Sequence, residues 1–310
     1  MKMHPWVSIG LRVEAPGNGL LKTHAMVPTP VLLPDCIRVL FASCDSGLRG
    51  RVYYVDLERE MPHNVIHLST TPVLDLGAQG CFDADGVNPC HLLVCGQEWW
   101  LYYVGWQRFP GRIPYTLFTG LAVSHDQGRS FKRIQEAPIL QAQNEERYFR
   151  TAPFVQKTDT GYEMLYVGGS RFIEDSQGKL LPRYSIRRAK SIDGINWSAS
   201  AEDILTPDPA LGEIGFGRPR TEHLPSGDVV LMFSVRTERD YRLVQCPFDE
   251  RIADRSRWTG AISPSVAGWD SEMTCFGATC RIDQQSILFY NGNGYGKTGF
   301  GLARYCEEAV

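Results

Sequence analysis

Five strongly apolar segments, rich in β-branched and aromatic residues, recur along the chain. They cover residues 38–45, 99–106, 162–169, 229–236 and 286–293. Apolar runs of this length and composition are typical of strands that are buried on both faces. No stretch of useful length places apolar residues at the 3.6-residue period of an amphipathic helix. The pattern therefore predicts an all-β protein.

A second pattern arranges these segments into a repeat. A strand precedes each segment and bears a proline in the first four units, and a strand with small residues follows each segment. The repeat position is held by Pro28, Pro89, Pro153, Pro219 and Gly277, at steps of 61, 64, 66 and 58 residues. Units of about 40 to 50 residues with four strands each are typical of propeller blades. We therefore predict one domain over residues 1–310, a five-bladed β-propeller of four-stranded antiparallel blades, with its ring closed by the strand at 6–13.

Composition and charge narrow the range of partners. The 310 residues carry a formal net charge of -3, which gives no reason to expect nucleic acid or an anionic membrane as partner. The nine cysteines are odd in number and form no Cys-x-x-Cys pair, which favours free thiols over a disulfide framework or a zinc site. The histidines show no metal-ligating spacing. We therefore expect no metal or cofactor. Since the sequence shows neither a signal peptide nor an apolar run of about 18 residues, we also expect a cytoplasmic protein.

Side chains suited to a sugar ligand precede the repeat position. In a propeller the starts of the inner strands surround a central funnel, so these side chains should meet although they are about 60 residues apart. The rule selects His24, Asp83, Asp85, Arg150, Arg218, Asp270 and Glu272. Trp269 lies beside two of these acids, and Glu213 is a candidate third carboxylate. The apolar strands end in a further ring of candidate ligands, which are Asp45, Trp106, Arg171, Arg236 and Asn293.

These residue types point to carbohydrate chemistry. Carboxylates hydrogen-bond sugar hydroxyls, indoles stack on sugar rings, and paired acids can cleave an acetal. We assign Asp85 and Glu272 as the acid/base pair, with carboxyl groups about 5 to 10 Å apart. Burial beside Trp269 is expected to suit Glu272 to the acid role. Each candidate also has a simpler interpretation, as an aspartate in a turn, an acid on a solvated loop, or a polar residue that only ends a strand.

Several motifs resemble those of a known group of enzymes. Residues 80–89 and 268–273 resemble the five-bladed β-propeller glycosidases, the clan of arabinanases, xylosidases, fructosidases and β-mannoside phosphorylases. Six short motifs resemble a glycosidase-like subgroup often found in bacterial surface-polysaccharide gene clusters, and they lie at 24–25, 82–87, 105–106, 218–219, 269–273 and 291–296. The resemblance spans nearly the whole chain and implies the propeller fold and activity on a sugar. In one departure, the first repeat carries His24 where many of these enzymes have a catalytic aspartate.

The sequence leaves three functions open. The first is a glycosidase-like enzyme that acts on a small glycoside or activated sugar made for a bacterial polysaccharide or a related metabolite. The second is a sugar or nucleotide-sugar binding module without turnover. The third is a phosphorylase, transferase or isomerase on the same fold, in which Arg218 and Arg236 bind an anion. A requirement for phosphate would separate a phosphorylase from the other two.

Overall fold

The computed structural model describes residues 5–175, 177–198, 202–224, 227–283 and 285–306. The strands are, in chain order, β1 (Trp6–Val13), β2 (Thr23–Leu32), β3 (Cys36–Cys44), β4 (Gly50–Glu58), β5 (Val65–Leu68), β6 (Gly86–Cys95), β7 (Glu98–Arg108), β8 (Tyr115–Ser124), β9 (Lys132–Arg133), β10 (Phe149–Thr158), β11 (Gly161–Glu174), β12 (Leu180–Ser191), β13 (Glu202–Leu205), β14 (Gly215–His223), β15 (Val229–Arg236), β16 (Tyr241–Pro247), β17 (Thr259–Gly260), β18 (Cys275–Ile282), β19 (Gln285–Asn291) and β20 (Phe300–Tyr305). One helical turn, α1 (Asn293–Gly296), and two 3-10 turns, Pro209–Leu211 and Arg255–Arg257, accompany them. The all-β prediction is confirmed, and the five apolar segments form β3, β7, β11, β15 and β19. Within the described ranges, no helix has both the length and the apolar character needed to cross a membrane.

Successive strands form antiparallel groups of four. Three such groups are β2 to β5, β6 to β9 and β10 to β13. The strands β14 to β17 are sheet neighbours in chain order, and β16 pairs antiparallel with β17. The last group has the order β1-β20-β19-β18, because the N-terminal strand pairs antiparallel with the C-terminal one. In that pair Trp6 lies opposite Tyr305, so the strand predicted at 6–13 is present and completes the fourth position of its group.

The chain divides into two compact units. The first comprises Met1–Pro72, Arg220–Ser234 and Asp240–Val310, and the second comprises Val73–Pro219 and Val235–Arg239. In the first unit Phe41, Tyr53 and Phe289 are fully buried within one apolar cluster. In the second unit Tyr102 and Tyr166 are buried in another. Each unit thus has its own core, built from the central strands of its sheets.

The first strand of a group begins with an unusual backbone. In four of the five groups the residue just before the repeat position has a positive φ, which is 56° at Val27, 53° at Ala152, 48° at Arg218 and 55° at Phe276. The strand register shifts at the same point in β2, β10 and β18, as in a β-bulge. A proline suits the following position because the interrupted ladder needs no N–H donor there.

Contacts from neighbouring strands hold this backbone in place. A positive φ is unfavourable for a β-branched residue such as Val27, so the surrounding structure must stabilise it. The N–H of Val27 donates to Asn291 Oδ1 at 2.7 Å, and the N–H of Phe276 donates to Ser234 Oγ at 2.9 Å. The bulge is therefore a fixed part of the fold and sets the direction of the side chains around it.

Candidate functional site

Three buried carboxylates accept a hydrogen bond from a tyrosine twenty residues later in the chain. The pairs are Tyr103 with Asp83 at 2.9 Å, Tyr166 with Glu146 at 3.1 Å and Tyr290 with Asp270 at 2.8 Å. Each acid precedes the first strand of its group and each tyrosine lies in the second, so the loop folds back over its own hairpin. Burial, together with the carboxylate charge, raises the pKa of all three tyrosines, which keeps them protonated as donors.

A glycine two residues after the tyrosine makes room for this loop. A Cβ atom on Gly105 would lie 2.5 Å from Cβ of Asp83, and one on Gly168 would lie 1.9 Å from Oε1 of Glu146. Such distances are far inside van der Waals contact, so a larger residue would displace the loop. The Tyr-x-Gly sequence is therefore a signal for a buried acid. It could have identified Glu146, which the sequence analysis did not select.

Asp83 is fixed inside the second unit. Its side chain is only 1% exposed, and Oδ2 accepts a hydrogen bond of 2.7 Å from Arg133 Nε as well as the one from Tyr103. Charge-assisted contacts of this kind are short and strong. The geometry favours the structural alternative for Asp83 over contact with a ligand.

Arg150 is engaged in a buried ion-pair cluster. Its Nε lies 3.0 Å from Glu146 Oε2, and its Nη1 donates to the Gln141 carbonyl at 2.8 Å. Arg187 lies 3.2 Å from the second oxygen of Glu146. Removal of one member of such a cluster leaves an uncompensated buried charge. Arg150 therefore fixes the start of β10, and this arrangement does not favour the substrate-binding role predicted from the sequence.

Trp269 packs inward. Its ring centroid lies 4.9 Å from that of Tyr290, and the indole covers Gly292 and Gly301, where a Cβ atom would meet it at 2.5 and 2.4 Å. The neighbouring Asp270 is fully buried. This packing occupies the indole against the sheet, so it does not favour the sugar-stacking role expected for Trp269.

Glu272 has an exposed side chain on a loop with a firmly held backbone. Its N–H donates to Asn293 Oδ1 at 2.8 Å, and its carbonyl accepts from Arg242 Nη1 at 2.7 Å. Asn293 also donates to the Gly268 carbonyl at 3.0 Å, so its amide clamps the loop. The expectation that Glu272 is buried beside Trp269 is wrong, because the loop turns Trp269 inward and Glu272 outward.

Asp85, in the second unit, also reaches solvent. Its side chain is 26% exposed; Oδ2 accepts the Arg108 backbone N–H at 2.8 Å, and Oδ1 lies 3.2 Å from Arg108 Nη2. Its own N–H donates to the Trp106 carbonyl at 3.2 Å. The Trp106 ring covers Gly86, where a Cβ atom would lie 2.0 Å from it. The end of β7 thus holds the Asp85 carboxylate in a defined position.

Asp45 closes a turn at the end of β3. It accepts the N–H groups of Gly47 at 2.9 Å and Arg49 at 3.0 Å, and it pairs with the side chains of Arg49 at 3.0 Å and Arg51 at 2.9 Å. Burial opposes ionisation, but these donors outweigh it and lower the pKa of Asp45 to about 2. Asp45 therefore has a structural role in the turn.

His24 begins the corresponding region of the first repeat. Its backbone φ is 66°, and its Nδ1 lies 2.8 Å from Thr23 Oγ1. Partial burial, and after it the charge of Lys297, lowers the pKa of His24. The imidazole is therefore neutral at pH 7 and offers one donor and one acceptor.

Three further predicted residues, Glu213, Arg218 and Arg236, are buried in the second unit. Oε2 of Glu213 accepts the Asp208 N–H at 2.8 Å. Nη2 of Arg218 donates to the Cys90 carbonyl at 3.1 Å. Nη1 of Arg236 lies 3.5 Å from the Tyr184 hydroxyl. The Arg218 contact joins β14 to β6, and the Arg236 contact joins the last residue of β15 to β12.

The predicted carboxylates fall into two kinds. Those at 45, 83, 213 and 270 are buried and hydrogen-bonded, whereas Asp85 and Glu272 keep access to solvent. Arg171, at the end of β11, is exposed as well. Among the residues that the structure describes, no group of three or more histidine, cysteine or acidic side chains is placed to hold a metal ion.

The sequence and the structure were compared with those of known proteins. No protein-family model matches the sequence. An uncharacterized protein of Mycobacterium tuberculosis, Rv1502, is 27% identical over 302 residues, which cover 96% of this chain and 98% of the relative. The solved structure of a glycosyl hydrolase from Bacteroides ovatus has a TM-score of 0.65 at 14% identity, covering 99% of this chain and 95% of that one.

A second solved structure is described by the words "The GH130 family of mannoside phosphorylases contains glycoside hydrolases that target beta-1,2 mannosidic linkages in Candida mannan". Its TM-score is 0.61 at 15% identity, with 99% of this chain and 95% of that one covered. Likeness at this level of identity concerns the fold. At the level of the fold, the resemblance found in the sequence is confirmed, because the chain is similar in fold to these glycoside hydrolase and phosphorylase structures.

Proposed function

We propose that this protein is a glycosidase-like enzyme that acts on a small glycoside or an activated sugar, with Asp85 and Glu272 as its acid/base pair. The observation that carries the proposal is the difference in exposure among the predicted carboxylates. The other predicted carboxylates are buried, whereas these two reach solvent on firmly held backbone. The fold supports the reaction class, because it is the fold of glycoside-processing enzymes.

The surroundings of the two acids suggest different roles. Cleavage of a glycosidic bond needs one carboxylic acid to protonate the leaving oxygen and one carboxylate to act as base or nucleophile. Asp85 has the guanidinium of Arg108 as a counter-charge, which suits the ionised partner. Glu272 forms no ion pair within the described part of the chain and takes the acid role.

The remaining predicted residues are divided by their access to solvent. His24 and Arg171 are proposed to contact the sugar, because each keeps partial access to solvent. Asp83 and Asp270 are proposed to hold the loops that carry Asp85 and Glu272, and Arg150 is proposed to hold the start of β10. Glu213, Arg218 and Arg236 are proposed to order the second unit through their buried charges.

The proposal also includes the arrangement of the strands into blades. We assign the five groups of four strands to five blades of one propeller domain over residues 1–310. The pairing of β1 with β20 supports closure of the ring by the N-terminal strand. A cytoplasmic role in bacterial glycan biosynthesis is proposed from the resemblance of the sequence motifs.

A ligand screen followed by product analysis tests this function. Small glycosides and sugar nucleotides are first screened for thermal stabilisation, since a ligand at 100 times its dissociation constant adds about 2.7 kcal/mol to the free energy of unfolding. The stabilising compound is then incubated with enzyme, with and without phosphate. We expect cleavage in both cases. Turnover that requires phosphate would indicate a phosphorylase, and binding without turnover would indicate a sugar-binding module.

A further inference from the structure

A pocket of about 330 Å³ in the second unit is lined by three arginines, Arg171, Arg183 and Arg187. We call it the arginine pocket. Arg171 lies at the end of β11, and the other two lie in β12. The hydroxyl-bearing residues Ser170 and Ser185 line the same pocket. Guanidinium groups and hydroxyls are the usual donors to an oxyanion.

Two of these positive charges are not compensated. Arg171 and Arg183 are directly opposite in the antiparallel pairing of β11 with β12, and like charges in that position are destabilising. Among the described residues neither forms an ion pair, and Nη2 of Arg183 reaches the Pro207 carbonyl at 3.4 Å. Arg187 differs, since it pairs with Glu146 at 3.2 Å and with Asp203 at 2.7 Å. The arrangement therefore leaves a local excess of positive charge.

The backbone beside the arginine pair is shaped by a bulge. The register of β11 and β12 shifts between Gly168 and Arg171, so Gly169 and Ser170 together face one residue of β12. A Cβ atom on Gly169 would lie 2.3 Å from the Arg183 carbonyl, so only glycine allows the strands to approach this closely. Bulges re-aim side chains and are frequent next to functional sites.

We propose that the arginine pocket binds a phosphate group, supplied either by inorganic phosphate or by a phosphorylated sugar. A phosphate accepts hydrogen bonds from two guanidinium forks at once and removes the repulsion between Arg171 and Arg183. Two carboxylates also line the pocket. Asp203 pairs with Arg187, and Glu145 is exposed and forms no ion pair within the described residues, so Glu145 adds a modest opposing charge. This inference does not depend on the carboxylate chemistry proposed above.

Calorimetric titration with inorganic phosphate, in phosphate-free buffer at fixed ionic strength and without sugar, tests the proposal. The wild-type protein should bind phosphate saturably at one site per chain. Arg171→Gln and Arg183→Gln should each weaken binding about 10- to 100-fold, as the loss of a hydrogen bond to a charged group does. Arg129→Gln, at an exposed arginine outside the pocket, is the matched control and should bind as the wild type does. Glu145→Gln should bind phosphate more tightly, because it removes a like-sign charge.

A stability measurement separates binding from a structural role. Without phosphate, Arg171→Gln should melt at the same or a higher temperature than the wild type, because repulsion with Arg183 is relieved. An arginine that only supports the fold would lower the melting temperature on removal. Added phosphate should raise the melting temperature of the wild type and of Arg129→Gln, but not that of Arg171→Gln.

Glucose 1-phosphate identifies the source of the phosphate group. Tighter binding of this ester than of inorganic phosphate indicates a sugar phosphate as ligand, and the reverse indicates free phosphate. The proposal is overturned if neither compound binds the wild type saturably, or if Arg171→Gln and Arg183→Gln bind both as the wild type does. If phosphate binds while no glycoside is ever cleaved, the inference stands and the proposed hydrolase activity fails.

Discussion

The hydroxyl of Tyr103 donates a hydrogen bond of 2.9 Å to Oδ2 of Asp83, across a separation of 20 residues. The same contact recurs in two other groups of strands, so it belongs to the repeat and not to one site. It fastens the loop before the first strand to the second strand of the same hairpin. A fastened loop is what a neighbouring catalytic residue needs in order to keep its position.

Loss of this hydroxyl should lower stability without altering the fold. We expect Tyr103→Phe to reduce the free energy of unfolding by about 2 kcal/mol, because Asp83 is buried and loses a charge-assisted partner. Urea unfolding measures the change. The control is Tyr148→Phe, at a half-buried tyrosine that packs against aromatic rings, and it should change stability by less than about 0.5 kcal/mol. Equal effects of the two substitutions would contradict the role given to the pair.

The turn closed by Asp45 should make stability depend on acid pH. The pKa of Asp45 is about 2 in the folded chain and about 3.9 in an unfolded one, so its contribution is complete above about pH 4 and is lost as pH falls toward 2. Asp45→Asn should therefore be less stable than the wild type by about 2 kcal/mol at pH 6. The difference should shrink between about pH 4 and pH 2.

Unfolding curves at several pH values test this linkage. Asp159→Asn, at an exposed acid, serves as the control and should differ from the wild type by the same small amount at every pH. A stability loss in Asp45→Asn that stayed constant down to pH 2 would show that the ionised carboxylate is not the cause.

Two buried thiols should resist alkylation. All nine cysteines lie within the described residues, and none of them forms a disulfide there. Burial raises the pKa of Cys246 to about 12 and that of Cys280 to about 11, and the thiolate is the reactive form. Iodoacetamide at pH 8 should leave both unmodified in the native protein and should modify all nine after denaturation. Mass spectrometry that found a stoichiometric disulfide, or rapid native labelling of Cys246, would contradict this account.

The strands could be predicted from sequence because the pattern that indicates a strand is local. Apolar β-branched runs and the spaced prolines can be found without knowledge of distant contacts, and the strands that they predict are present in the structure. The N-terminal strand was also found, since a strand at 6–13 needed a partner and the last group lacked its fourth member.

The roles of the acids were harder to predict from sequence because they depend on tertiary contacts. An aspartate before a strand has the same local sequence whether it points to solvent, as Asp85 does, or folds onto its hairpin, as Asp83 does. One sequence feature indicates that Asp83 folds onto its hairpin: Gly105, two residues after Tyr103, leaves room for the loop. Similarly, the local sequence does not show that Trp269 turns inward and Glu272 outward. The orientation of this loop depends on a hydrogen bond to the amide of Asn293, which lies 21 residues later in the chain.

The most direct test of the central claim is the turnover number of Asp85→Asn and Glu272→Gln on the glycoside identified by the screen. Both changes keep the shape of the side chain and remove its titratable proton. We predict that each lowers the turnover number by about 10²- to 10⁴-fold while ligand binding, measured by calorimetry, survives. Glu136→Gln, at an exposed acid elsewhere in the second unit, should retain wild-type turnover. Wild-type rates in both Asp85→Asn and Glu272→Gln would show that these carboxylates do not perform the chemistry.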